Sequence, residues 1–149
     1  MNVGFVYFGC TLALGARLLG LRRPPGRLLT ASMIVWAISG LGSIGVGLVP
    51  VNENGSLHSL VALPVFLAQP TALLLLGFGL MRLHPTFARA TVAVSAASAI
   101  GVTGFFVLAT SDTSTQLGAT ERLALWPGYV WVSVVAVSAV VQLRGRPIS

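Results

Sequence analysis

The chain has 149 residues, of which 55% are hydrophobic and only 8% are charged. Soluble domains carry roughly 25% charged residues, so this composition excludes an ordinary soluble protein. All nine basic residues are arginine, against three acids. The arginines lie between apolar runs, not along one face interleaved with aromatic side chains, so their basicity does not indicate a nucleic-acid partner. The composition predicts an integral membrane protein.

Five apolar runs follow one another along the chain, separated by short polar turns. At about 20 residues per crossing, every run after the first is long enough to span the hydrocarbon core as a helix. We therefore expect an all-α, polytopic transmembrane helix bundle that forms a single integral membrane domain over residues 1–149. The predicted helices are 3–21, 28–49, 57–81, 90–110 and 123–143.

Charge divides the turns into two groups. The turns after the first, third and fifth runs hold seven arginines and no acid, whereas the turns after the second and fourth runs hold all three acids and one arginine, Arg122. Arginine-rich turns of bacterial membrane proteins face the cytoplasm. The segregation predicts a multi-pass protein of the cell membrane, with its N-terminus outside and its C-terminus inside.

The first predicted outer turn, residues 52–58, is the densest polar segment, and it has two interpretations. In one, Asn54 or Ser56 caps the third helix, whose first N–H groups need acceptors, and Glu53 lies at the positive helix end. In the other, Glu53 and His58 form an acid/base or ligand pair at the membrane surface. Capping is the interpretation that we favour.

The second predicted outer turn ends in Thr120, Glu121 and Arg122. Thr120 is a candidate cap of the fifth helix. Arg122 opposes the charge rule, so we expect it either to pair with an acid or to bind a lipid phosphate or carboxylate. Together with Glu53 and His58, Glu121 and Arg122 form the candidate outer-face polar cluster. Three aromatic residues that follow are typical of an interfacial belt: Trp126, Tyr129 and Trp131.

Gln69 lies near the middle of the third run and directly precedes Pro70. Proline cannot donate to the carbonyl four residues earlier, so the helix should bend here. A buried amide needs a partner, and we expect Gln69 to face the bundle and bond to a neighbouring helix or to the carbonyl that Pro70 leaves free. A midplane ligand or ion site formed by Gln69 and Pro70 is the alternative.

Small residues recur at helical spacing on two runs and predict faces of close packing. Metal binding is not expected, because the two histidines lie on opposite membrane faces and Cys10 is alone. No nucleotide-binding motif is present, and no cofactor is predicted. The predicted packing positions are Ser39, Ser43 and Gly47, and Thr91, Ser95, Ser98, Gly101 and Gly104.

Several stretches resemble a bacterial multi-pass membrane family catalogued as domain of unknown function 998. The resemblance implies a six-helix fold and brings no established activity. Relative to the family pattern, this chain lacks a first helix and the outer segment after it, so we expect it to be a shortened member or one whose start was assigned late. The stretches are Met1–Phe5, Gly47–Pro50 with Glu53, Gly55 and Leu57–His58, Phe66–Leu73, and Gly118–Leu123.

Three functions compete. The leading hypothesis is a non-enzymatic envelope component that binds membrane lipids, a membrane-protein partner or a second copy of itself. The second is an outer-leaflet enzyme that modifies a lipid with Glu53, His58, Glu121 and Arg122. The third is a transporter of a small solute, with its midplane site at Gln69 and Pro70.

Overall fold

The computed structural model describes residues 2–22, 25–110 and 117–144, with side chains over residues 3–21, 25–110 and 117–137. Within these ranges the chain forms five α-helices and no strand, as the sequence predicts. The helices are α1 (Asn2–Arg22), α2 (Arg27–Leu48), α3 (Gly55–Leu80), α4 (Pro85–Ala109) and α5 (Leu117–Arg144).

Two helices begin five or six residues earlier than their apolar runs. α4 begins at Pro85, where the missing N–H of proline is tolerated because the first helical N–H groups have no intrahelical partner. α5 begins at Leu117, so Thr120 lies inside the helix and donates to the Leu117 carbonyl instead of capping it. Hydropathy marks the part of a helix that lipid can solvate, and both helices continue past it into their polar flanks.

Four helices are long and apolar enough to cross a membrane. These spans are Val3–Leu21, Arg27–Leu48, Gly55–Leu80 and Pro85–Ala109. α5 is not among them over its described residues, because its first turns carry the polar segment Thr120–Arg122. The chain is therefore a multi-pass helical membrane protein. The side of the membrane on which each terminus lies stays a prediction.

Helices adjacent in sequence pack against each other, and α3 also contacts α5. α1 reaches α5 through one aromatic pair, since the rings of Phe8 and Tyr129 lie 4.5 Å apart. Two apolar clusters fill the interior. One joins α1, α2 and α3 around Trp36 and Leu73, and the other joins α3, α4 and α5 around Phe66 and Leu125.

The up-and-down order places the charged turns at two ends of the bundle. We call one the acidic end; it comprises the α2–α3 turn with Glu53 and the start of α5 with Glu121 and Arg122. At the other, the basic end, the described part of the chain exposes four arginines. These are Arg17, Arg27, Arg82 and Arg89. The third acid, Asp112, lies outside the described residues.

Most of the predicted small-residue positions are buried at helix contacts. A Cβ at Gly101 would lie 2.6 Å from the backbone nitrogen of Ala124, so α4 and α5 approach closely there. Gly104 is the exception, because a Cβ there would meet nothing within 4 Å. The predicted stripe on α4 is thus a packing face that ends at Gly101.

The three residues of the predicted aromatic belt have different surroundings in the bundle. Trp126 is exposed, but Tyr129 packs on Phe8, and Trp131 stacks on Phe87 and donates its indole N–H to the Thr91 hydroxyl at 3.1 Å. Tyr129 and Trp131 thus pack against side chains of other helices, and the depth of all three residues in the membrane stays a prediction.

Candidate functional site

The α2–α3 turn is built around a helix cap. The Asn54 side-chain oxygen accepts from the Leu57 N–H at 3.0 Å, and the Asn54 carbonyl accepts from the His58 N–H at 2.9 Å. This confirms Asn54 as the cap of α3. Ser56 lies within the helix. The bond satisfies an N–H that has no partner inside the helix.

His58 joins the two helices that the turn connects. Its Nδ1 lies 2.7 Å from the carbonyl of Val49, the residue that ends α2. Because a carbonyl only accepts, Nδ1 carries the hydrogen and Nε2 is the ring nitrogen left for other contacts. His58 therefore ties the end of α2 to the first turns of α3.

The four residues of the predicted outer-face cluster lie at one end of the bundle but are not joined to one another. Glu53, Glu121 and Arg122 are exposed and His58 is half-buried. Among the described residues, no hydrogen bond or ion pair links any two of the four. What the structure gives is a shared location at the acidic end, without the contacts of an acid/base pair.

A groove lies between α4 and α5 and runs from the acidic end towards the middle of the bundle. It has a volume of about 450 Å³. Arg122 lies at its polar end, and the rest of the lining is almost entirely apolar. From Ala119 to Trp131 the groove follows about 18 Å of helix, at 1.5 Å per residue. The main apolar contacts are Leu123, Trp126, Val130 and Trp131.

Gln69 is completely buried, and its side-chain amide donates to the Leu125 carbonyl on α5 at 2.8 Å. This is the bond to a neighbouring helix that a buried amide requires. Gly128 makes it possible, because a Cβ at that position would overlap the Gln69 amide. The use of Gln69 and Pro70 as a ligand site stays a prediction.

Two serines add bonds between helices that the sequence did not reveal. Ser95 on α4 donates to the Pro70 carbonyl at 2.8 Å, and Ser32 on α2 donates to the Ala72 carbonyl at 2.8 Å. Most exposed serines and threonines here bond to their own helix four residues back, as Thr71 does to Leu67. The sequence signal was present only as small-residue spacing, which indicates packing and not a hydrogen bond.

The sequence matches the family described as "Protein of unknown function (DUF998)" over residues 1–138. The chain belongs to this family. The match includes the α2–α3 turn, Gln69 and the whole α4–α5 groove, so these features all lie within the DUF998 region. Comparison with curated proteins and with solved structures gives no match.

The described part of this DUF998 chain contains no group of three or more His, Cys, Asp or Glu side chains that could hold a metal ion. Its titratable side chains at the acidic end are exposed or engaged in the turn, as His58 is with Val49. The α4–α5 groove, an open surface depression with Arg122 at its end, also begins at the acidic end.

Proposed function

We propose that this protein is a non-enzymatic component of the cell membrane that binds a phospholipid in the α4–α5 groove. The observation that carries the proposal is the position of Arg122, an exposed guanidinium at the polar end of an otherwise apolar groove. A phospholipid likewise has a charged part and an apolar part, because its phosphate lies above its acyl chains.

The contacts available in the groove match the two parts of such a ligand. A guanidinium can form two parallel hydrogen bonds to one phosphate, and it is weakly hydrated enough to do so at a membrane surface. Below it, Leu123, Trp126 and Val130 offer an exposed apolar surface to an acyl chain. Within the described residues Arg122 is exposed and forms no ion pair, which leaves its guanidinium available to a ligand.

The residues at the acidic end favour lipid binding over an enzymatic reaction on a lipid. A lipid-modifying reaction needs a base within reach of an acid or nucleophile, and His58 instead holds the Val49 carbonyl through Nδ1. Glu53 is exposed on the turn. With the basic end in the cytoplasm, as the charge rule predicts, Arg122 would meet phospholipid headgroups of the outer leaflet.

Native mass spectrometry of the purified protein with added phosphatidylglycerol tests this proposal. Hydrogen bonds to charged groups contribute about 1.5–3 kcal/mol, so Arg122→Gln should weaken lipid binding by roughly 10- to 100-fold. Trp126→Ala, which removes the largest exposed side chain of the groove, should weaken binding while leaving the charge in place.

Arg82→Gln is the matched control, because Arg82 is an exposed arginine at the opposite end of the bundle. It should retain binding at the affinity of the unchanged protein. Equal binding by Arg122→Gln and Arg82→Gln would refute the groove as the lipid site. An equal loss in both variants would show that binding depends on overall charge.

A further inference from the structure

A layer of buried oxygens without partners crosses the middle of the bundle. Within the described residues, five buried side-chain oxygens have no hydrogen-bond partner. They come from four different helices, α2 to α5, and four of the five residues are completely buried. The five atoms are Ser39 Oγ, Ser43 Oγ, Gln69 Oε1, Ser98 Oγ and Tyr129 Oη.

Helix register places Ser39 and Ser98 near the level of Gln69. Between α2 and α3, Gly42 lies against Val65, and Ser32 donates to the Ala72 carbonyl, so Ser39 lies opposite residues 65–68. On α4, Ser98 is one turn from Ser95, whose hydroxyl donates to the carbonyl of Pro70. Both serines therefore lie within about one helical turn of Gln69 along the bundle.

α5 closes the layer. Gln69 donates to Leu125, and its side chain lies against Gly128. The next residue, Tyr129, brings its buried hydroxyl close to the Ser43 hydroxyl. The phenol of Tyr129 thus reaches the serine face of α2, beside the Gln69 amide on α3.

The serines of this layer are unlike the exposed hydroxyls of the same helices. A helical serine or threonine can always bond to the carbonyl four residues back, and Ser59, Thr71, Thr103 and Ser133 do so. Ser39, Ser43 and Ser98 form no such bond. Their oxygens are directed into the space between helices, where an unpaired polar group is costly.

We propose that this layer is a binding site for water inside the bundle. The guest must donate, because the free oxygen of the Gln69 amide only accepts. Pro70 and Pro127 add acceptors at the same level, since neither proline can donate to the carbonyl four residues earlier. Serine and tyrosine hydroxyls can donate or accept. Water can do both as well, so it can bond to the amide oxygen and to the hydroxyls.

The charge of the layer favours a neutral guest over a cation. The acids in the described part of the chain, Glu53 and Glu121, are exposed at the acidic end. A cation among uncharged oxygens would lack a counter-charge in a surrounding of low dielectric constant. The site is separate from the lipid groove, and nothing in it depends on Arg122.

The sign of a stability change tests the inference. Tyr129→Phe and Ser43→Ala each remove one hydroxyl with little change of shape. If the hydroxyls bind water, each deletion loses a hydrogen bond, and Tm in detergent should fall by about 2–4 °C. If the layer is dry, each deletion relieves an unpaired buried group, and Tm should rise. An unchanged or raised Tm overturns the proposal.

Two controls and a second measurement complete the test. Tyr7→Phe and Ser59→Ala change exposed residues and should leave Tm unchanged. NMR should also show magnetisation transfer from water to the Gln69 side-chain amide, and Gln69→Leu assigns that signal. A fall in Tm without transfer from water would show that Tyr129 and Ser43 bond to each other directly, which also overturns the proposal.

Discussion

α1 and α2 pack backbone against backbone, whereas α3 and α5 meet through a side chain. At the first contact, a Cβ on Gly40 would lie 2.7 Å from the Gly9 carbonyl oxygen and 3.1 Å from the Ala13 Cβ. At the second, the buried amide of Gln69 reaches across to Leu125. The two contacts use different means to hold helices together where lipid offers no hydrophobic drive.

The difference shows what each kind of contact requires. Two backbones gain dispersion energy at close range only if both helices carry glycine at the contact. Such a contact buries no polar side chain that would need a hydrogen-bond partner. A hydrogen-bonded crossing tolerates a wider separation, but it leaves the remaining polar atoms of the layer to find partners. In this protein the α1–α2 contact is apolar. The α3–α5 contact lies beside the unpartnered oxygens of the layer between α2 and α5.

The largest expected effect comes from filling the α1–α2 contact. Gly40→Val would place three carbon atoms where the Gly9 carbonyl and Ala13 now lie, so the helices must separate. We expect a loss of about 3 kcal/mol in the free energy of unfolding, at the upper end for overpacking. Unfolding by denaturing detergent measures it. Gly15→Val on α1 is the control, because nothing lies within 4 Å of its Cβ.

Gly128→Ala should cost somewhat less. The added methyl group overlaps the Gln69 amide, which must give up its bond to Leu125 while staying buried. Leaving a buried polar group unpaired costs about 1–3 kcal/mol. The matched control is Gly118→Ala on the same helix, which meets nothing within 4 Å. Equal unfolding free energies for the two variants would contradict the α3–α5 contact.

Gln69→Leu should have the smallest effect of the three. The variant loses one interhelical hydrogen bond, and such bonds contribute about 0.6–1.7 kcal/mol in membranes. Thr71→Val, an exposed change on the same helix, should leave the unfolding free energy unchanged. A loss as large as that of Gly40→Val would assign Gln69 a larger role than this single bond.

The number of helices followed from composition, because an unpaired backbone cannot stay in lipid. The cap at Asn54 and the burial of Gln69 followed from local rules, since a helix start needs an acceptor and a buried amide needs a partner. Which carbonyl Gln69 reaches could not be predicted, because Leu125 is 56 residues away along the chain. The inward turn of Trp131 was missed for a similar reason.

The α4–α5 groove was also beyond the sequence. Arg122 stood out as the arginine that breaks the charge segregation, but a groove exists only once two helices are packed. The close contact of Gly9 with Gly40 was missed as well, since isolated glycines on different helices carry no sign of which backbone they will meet.

A double-mutant cycle between Gln69 and Gly128 tests most directly the claim that a buried amide joins α3 to α5. In the unchanged background, Gly128→Ala should lower the unfolding free energy by about 1–3 kcal/mol. In a Gln69→Ala background the overlapping amide is absent, so the same change should cost almost nothing. Equal costs in both backgrounds would mean that the two residues do not touch and would contradict the account.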